Sequence, residues 1–419
     1  MSYTNVNKKK IINDPVHGFI AVPNSLLYDL IQHPYFQRLS RIKQLGMSYM
    51  VYPGAQHTRF LHSLGAMHLM DEAIAQLRSK DIEITDEEAN AVLVAILLHD
   101  VGHAPFSHVL ENTLTKGISH EEISLLMMGK INEEYKGALD LAIKIFQNQY
   151  HKKFLHQMVS SQLDMDRMDY LTRDSFFTGV VEGAVGVARI IKMLNVCNDE
   201  LVVEAKGIYS IEKFLIARRM MYWQVYLHKT AVSAEQVLIK ILDRAKELSH
   251  KGVDLGYIPP HLKYFLQNEI TRDDFLKSEE PLKNYVMFDD SDIMSAVKVW
   301  SENDDKILSI LCKNLMNRRL FKMEVREQRP TKQEENDIIE SIATQLDISQ
   351  KDAHYLVTLH PVSAYTYRPK EDSIKVLYSN GELKDIVDAS DILNLTMLSK
   401  YEKKYYFGWV KGITIIQSK

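Results

Sequence analysis

The stretch Leu98-His99-Asp100-Val101-Gly102-His103-Ala104-Pro105-Phe106-Ser107-His108 constrains this chain more than any other. A helix leads into it. Thr85 and Glu88 make a capping box, in which each side chain satisfies a backbone N–H that the helix leaves unpaired. From Ala91 to Leu98 every side chain is apolar, so this helix is buried all round. The pattern ends near Gly102, and Pro105 cannot continue it. A buried helix therefore carries an imidazole and a carboxylate to its C-terminal end. A carboxylate buried without a partner is costly, so Asp100 needs a cation or a strong donor. A metal ion is the simplest answer. Imidazole nitrogen with carboxylate oxygen suits first-row metals such as Mn, Fe, Co, Ni or Zn.

The chain has 419 residues and a formal net charge of −4. That length suits two or three domains, or one large domain with an appendage. No basic surface is advertised, which argues against a dedicated nucleic-acid binder and leaves a local basic groove open. Cys197 and Cys312 fit no zinc spacing and read as small buried hydrophobes of a reducing cytosol. Lys8-Lys9-Lys10 precedes no sustained apolar run, and no stretch is long and apolar enough to cross a bilayer. The expectation is a cytoplasmic protein with no membrane partner. Of the 16 histidines, His57, His62, His68, His99, His103, His108 and His120 crowd into one segment. Metal and phosphate chemistry would use such a cluster.

Residues 1 to 23 read as an extended lead-in with turns at Asn13-Asp14-Pro15 and His17-Gly18. One helix starts after Asn24-Ser25. Pro34 opens a second, with Phe36, Leu39, Ile42 and Leu45 at helical spacing. A third carries Phe60 to Met70. Ser119 and Glu122 box a further helix, with His120 in its first turn. Residues 156 to 177 and 185 to 195 are helical by period, and 211 to 248 read as one or two long helices. Past residue 250, helices persist over 290 to 316, and Thr331 and Glu334 box one over 332 to 346. Strand patterns appear at 320 to 325, 355 to 359, 373 to 378 and 405 to 416, with a hairpin turn at Asn380-Gly381. The fold class expected is mainly α: an all-helical part over residues 1–250 and a smaller mixed α+β part over 251–419, packed on it.

A metal at His99 and Asp100 needs further ligands. His62 sits upstream on a helix, beside Arg59. Downstream, Asp166, Tyr170 and Asp174 fall on one helix face at i, i+4 and i+8. The order His, His-Asp, Asp resembles the HD hydrolase superfamily. The likeness extends through Gln44-Leu45-Gly46, Tyr52-Pro53-Gly54-Ala55, His57 to Gly65, His99 to His108 and Asp164 to Tyr170. Over residues 12 to 245 the chain resembles the dNTP triphosphohydrolases, an HD-domain family. The resemblance thins after that, with Arg318 to Lys322 the best surviving piece.

The resemblance implies hydrolysis of a deoxynucleoside triphosphate to deoxynucleoside and inorganic triphosphate, with dGTP the candidate preference. It implies a divalent metal (Mn, Fe, Ni, Zn, Co or Mg) on His62, His99, Asp100 and Asp166. His120 matches the general acid for the leaving 5′-oxygen, with Glu111 as its carboxylate partner where the family has Asp. His103 matches a residue near the scissile phosphate and His108 one near the nucleotide. Arg59 and Arg218 match triphosphate contacts, and Arg167 replaces a family Lys. Gln44 and Asp174 match the pair that reads the sugar 3′-hydroxyl, with Tyr170 against the sugar and Tyr226 near C2′. A homo-oligomer, dimer or tetramer, is implied, with the C-terminal part contributing contacts, and a nucleotide effector is a candidate partner. The chain departs from the family at Gln32 and Ser40, which stand where the activator site reads guanine with an Asp and an Arg. An HD phosphohydrolase on another phosphate ester, and a non-catalytic nucleotide or single-stranded nucleic-acid binder, are the competing readings. Taken alone, His120 is a helix-start histidine, Tyr222 and Tyr226 are core aromatics, and Asp164 and Asp169 pair with arginines.

Overall fold

The computed structural model describes residues 10–107, 113–364, 373–390 and 402–416. The chain opens on an antiparallel hairpin of β1 (Ile11–Asp14) and β2 (Gly18–Ala21). Helices α1 (Ser25–Gln32) and α2 (Pro34–Gln37) follow. The expected continuation of α2 through Ile42 and Leu45 does not form. After one 3-10 turn at Arg38–Arg41 the chain extends, because backbone pairing wins. Arg59 N–H donates to the Ile42 carbonyl and Gln44 N–H to the His57 carbonyl. Phe36, Leu39 and Ile42 are fully buried even so, which is what their helical spacing mimicked.

Next come α3 (Arg59–Arg78), α4 (Asp86–Leu98), a short β3 (Thr115–Lys116), α5 (His120–Glu134), α6 (Asp140–Phe146), α7 (Lys153–Val159) and α8 (Met165–Thr178). The boxes at Thr85–Glu88 and Ser119–Glu122 both form. The single helix expected over 156–177 is two. Asp164 accepts from the N–H groups of Ser161 and Arg167 and so becomes the N-cap of α8, which stops α7 at Val159. Helix α3 packs against both α4 and α8. At its crossing with α8, Gly65 leaves no room for a side chain: a Cβ there would lie 2.0 Å from Asp169 Oδ1.

After α9 (Val187–Met193) the all-helical expectation fails again. β4 (Leu194–Cys197) and β5 (Glu200–Glu204) form a hairpin whose turn residues Asn198 and Asp199 both have positive φ. That is the two-residue turn suited to twisted strands. Helices α10 (Ile208–Met221) and α11 (Lys229–His250) are separated by a π-helical turn, Tyr222–Tyr226.

Beyond residue 250 lie α12 (Pro260–Gln267), β6 (Ile270–Thr271), α13 (Arg272–Lys277), α14 (Glu280–Met287), α15 (Asp290–Trp300), α16 (Lys306–Met316), β7 (Lys322–Arg326) and α17 (Lys332–Leu346). The rest is α18 (Gln350–Ala353), β8 (Val357–Ala364), β9 (Lys375–Leu377), β10 (Leu383–Asp385), α19 (Ile386–Ala389) and β11 (Glu402–Trp409), which stops short of the expected Ile416. The Asn380-Gly381 turn joins β9 to β10. β11 lies between β7 and β8, antiparallel to both, while β9 runs parallel to β5 and extends the hairpin of the first half into a four-stranded sheet. The architecture is mainly α with a small sheet part. One hydrophobic core runs through both halves of the chain, and α11 packs against α16, β7 and β11. Among the described residues no helix is long and apolar enough to cross a membrane.

Candidate active site

Three elements bring the expected metal ligands together. His62 lies one turn into α3, His99 caps the C-terminus of α4 with Asp100 next to it, and Asp166 sits in the first turn of α8, where the helix dipole favours a carboxylate. His62 Nε2 is 3.0 Å from Asp166 Oδ1, 3.4 Å from His99 Nε2 and 3.7 Å from Asp100 Oδ2. His99 Nε2 is 3.4 Å from Asp166 Oδ1 and 3.3 Å from Asp100 Oδ1. Donors about 2.1 Å from a shared metal lie ~3.0–3.4 Å apart, which the spacings among His62, His99 and Asp166 match, while Asp100, 3.7 Å from His62 and engaged by Arg59 and His103, stands at the edge of that group.

The tautomers fit the same conclusion. His99 Nδ1 lies 2.6 Å from the Ile96 carbonyl, which can only accept, so Nδ1 carries the proton. His62 Nδ1 lies 2.8 Å from Asp169 Oδ2, another acceptor. Both Nε2 lone pairs therefore face each other and two carboxylates, an arrangement that calls for a cation. With no cation in place, hydrogen bonds to Asp166 and Asp169 outweigh burial and hold a proton on His62 Nε2 as well, pushing its pKa up to about 10; a bound metal would take that proton's place. Asp166 and Asp100 are held below the usual carboxylate range. Burial opposes this, but His62 and His99 outweigh it at Asp166, and His99 and Arg59 at Asp100.

Behind these residues stands a network of which the sequence showed only one link, the pairing of Asp169 with an arginine. Asp169 also pairs with Arg173 at 2.9 Å and with His17 Nε2 at 2.6 Å, and Arg173 reaches Asp14 at 2.7 Å. The N-terminal hairpin thus fastens the back of His62, an expected metal ligand. Asp169 and Arg173 at i, i+4 were the available signal; nothing in the sequence tied Asp14 and His17 to them. His57 is likewise buried, with Nε2 2.7 Å from Asp174 Oδ1 and its ring stacked on Phe177.

A cavity of about 850 Å³ opens from the cage, lined by His99, Asp100 and Asp166 together with Gln44, Arg59, His103, His120, Arg167, Tyr170, Asp174 and Tyr226. At the cage end His103 and His120 stack with ring centroids 3.9 Å apart. His103 Nε2 is 3.2 Å from Asp100 Oδ1, and burial, then the charge of Arg59, hold its pKa well below the usual imidazole value. Arg59 donates to Asp100 Oδ2 at 2.5 Å and to Ser107 Oγ at 2.6 Å. Arg167 donates to the Ser161 carbonyl and to Tyr170 Oη. Farther on, Tyr226 donates to Asp174 Oδ2 at 2.8 Å, and the Tyr170 and Tyr226 rings meet edge to face. The Gln44 carbonyl oxygen is buried beside them with no donor among the described residues. Arg218 does not line the cavity; it donates to Gln162 Oε1 and lies against Tyr222. His108 and Glu111 fall outside the described residues.

Distant residues hold the front of the cavity. Asp290, at the start of α15, accepts from the backbone N–H groups of Lys43 and Phe106, at 3.0 and 2.9 Å. Buried Arg38 donates to the carbonyls of His103 and Phe288. Phe106 and Ser107 both have positive φ, so this segment is strained and needs such anchors.

An HD domain matches residues 59–174 and an HD associated region matches 185–254. A crystal structure of a phosphohydrolase from Bacteroides thetaiotaomicron superposes with a TM-score of 0.94 at 54% identity, covering 96% of this chain and 100% of that one. The Bacillus subtilis protein YwfO is 33% identical over 97% of this chain and 94% of its own length. The human deoxynucleoside triphosphate triphosphohydrolase SAMHD1 is 31% identical over 54% of this chain, which spans 42% of the human protein. The group of His62, His99 and Asp166, with Asp100 beside it, thus lies within a matched domain, and the chain belongs to the HD-domain phosphohydrolases, as a relative of the deoxynucleoside triphosphate triphosphohydrolases.

Proposed function

We propose that this protein hydrolyses deoxynucleoside triphosphates to deoxynucleoside and inorganic triphosphate, with a divalent metal on His62, His99, Asp100 and Asp166. The observation that carries the reading is one cavity whose lining joins two unlike sets of side chains: the His99 and Asp166 donors with His103, His120, Arg59 and Arg167, and a polar group of Gln44, Tyr170, Asp174 and Tyr226. A bound metal would polarise a phosphoryl oxygen and lower the pKa of a bound water.

The chain's own side chains supply the rest. Arg59, held by Ser107 and Asp100, and Arg167 present guanidinium groups to phosphate oxygens. His103 stays neutral and packs the ring of His120, which donates a proton to the leaving 5′-oxygen. Asp174 accepts from the sugar 3′-hydroxyl and the Gln44 amide donates to the hydroxyl oxygen, while His57 and Tyr226 fix the Asp174 carboxylate. Tyr170 and Tyr226 close the cavity where a ribose 2′-hydroxyl would project. In the same reading the chain works as a homo-oligomer in the cytoplasm, with residues 251–419 contributing contacts and a nucleotide effector as a further ligand.

The test is a product assay with each dNTP singly and in mixtures, with Mg²⁺, Mn²⁺ or Co²⁺. Inorganic triphosphate is expected, lost at least ~10³-fold in Asp100→Ala and after metal removal by a chelator. Release of orthophosphate or pyrophosphate, or no release from metal-loaded protein, would refute the reading and favour another phosphate ester.

A further inference from the structure

His120 stands at the first position of α5, the end of a helix that frays most readily. The capping box of Ser119 and Glu122 closes that end locally, but it does not fix where the helix lies relative to the His-Asp turn. Ser124 does. It follows His120 by one helical turn on the same face and is fully buried. Its hydroxyl accepts from the Gly102 N–H at 2.9 Å and donates to the His99 carbonyl at 2.8 Å. Making both bonds at once fixes the hydroxyl rotor and ties α5 to the backbone at two points of the turn.

Gly102 shows how closely the two segments lie. A Cβ there would fall 2.2 Å from the His120 carbonyl oxygen and 2.3 Å from the Ser124 backbone nitrogen. Those are main-chain atoms of α5, which cannot swing aside as a side chain can. The first turn of α5 is therefore seated on Gly102. The ion pair of Glu122 with Arg272 on the outer side is half-exposed, and such a pair holds a helix weakly. The rings of His103, from the turn, and His120, from α5, stack with planes 19° apart. Their alignment depends on the spacing of two backbones that Ser124 joins.

We infer that Ser124 is a positioning residue for proton donation, setting the place of the His120 ring without touching substrate; the inference rests on the reaction proposed above. In that reaction water attacks the α-phosphorus, the bond from that phosphorus to the 5′-oxygen breaks, and the 5′-oxygen takes a proton as it leaves. A displacement of about 1 Å costs such a step up to ~10²-fold.

Ser124→Ala removes both bonds and leaves the His120 side chain itself unchanged. The test is steady-state kinetics on a dNTP and on its analogue with sulfur as the bridging 5′ atom, whose thiolate leaves without a proton. On the dNTP, kcat is expected to fall at least ~10-fold while KM and metal affinity change less than ~3-fold, and kcat on the sulfur analogue is expected to change less than ~3-fold. Equal loss on both substrates, loss of metal together with activity, or an unchanged kcat would overturn the assignment. Should Ser124→Ala fail to fold, Ser124→Cys, a weaker donor and acceptor, carries the same comparison with a selective loss of at least ~3-fold expected. If no dNTP releases triphosphate from the wild type, the proposed reaction has failed, and the variants are compared on an alkyl and a 4-nitrophenyl phosphate ester. Selective loss on the alkyl ester then supports the positioning role, and equal loss, or no hydrolysis of either ester, overturns it.

Discussion

His62 shows how much of the setting of a proposed metal ligand lies outside its own side chain. Its Nδ1 meets Asp169, which is itself held by Arg173 and His17, with Asp14 beyond. All four of these partners are buried or nearly so, and Asp169 is kept ionised because Arg173 and the two histidines overcome the cost of burial. Such outer partners set the tautomer and basicity of a ligating imidazole. Asp169→Asn keeps the shape but offers one acceptor in place of a charge. It is expected to weaken metal binding ~10–100-fold, read by metal content after dialysis against a metal buffer, with a smaller fall in kcat at saturating metal. Unchanged metal affinity would show that Asp169 serves the fold alone.

At the level of elements, the site depends on how closely α3 and α8 approach. Gly65 in the middle of α3 is unfavourable for the helix itself, by ~1 kcal/mol against alanine. The crossing explains it: a Cβ would meet Asp169 Oδ1 at 2.0 Å and Arg173 Nη2 at 2.2 Å, both in a fully buried ion pair that cannot yield. Gly65→Ala is therefore expected to destabilise by about 3 kcal/mol despite its better helix propensity, through overpacking and strain on a buried pair. Thermal unfolding would measure this, and a stabilised variant would refute the close-approach argument. The break between α7 and α8 matters in the same way. It puts Asp166 into a first helical turn facing α3 and α4, and a continuous helix would have no such start there.

On the scale of the whole molecule, residues far apart in sequence assemble the front of the cavity. Asp290 holds the backbone beside Gln44 and the strained segment that carries Ser107, whose hydroxyl clamps Arg59. Asp290→Ala is expected to lower kcat/KM by ~10-fold or more while metal affinity changes less than ~3-fold, because the cage lies on α3, α4 and α8 alone. Equal loss of metal and activity would mean that the two regions are not separable in this way. Sheet β10-β9-β5-β4 and the shared core bind the halves just as closely.

Much was legible in the sequence because it is encoded locally. The capping boxes at Thr85, Ser119 and Thr331, the buried stripe Ala91–Leu98 and the Asn380-Gly381 turn are short-range chemistry, and each formed as its spacing required. Asp166, Tyr170 and Asp174 share one face because helical period alone puts them there, and all three line the cavity. What tertiary structure decided depends on partners distant in the chain. Helix α2 stopped early because Ile42 and Gln44 found backbone partners near His57, and α7 stopped because Asp164 found its own cap. The pairing of β5 with β9 and the Asp14–Arg173–Asp169–His62 chain have no local signature, since each exists only once surfaces from separate segments exclude water between them.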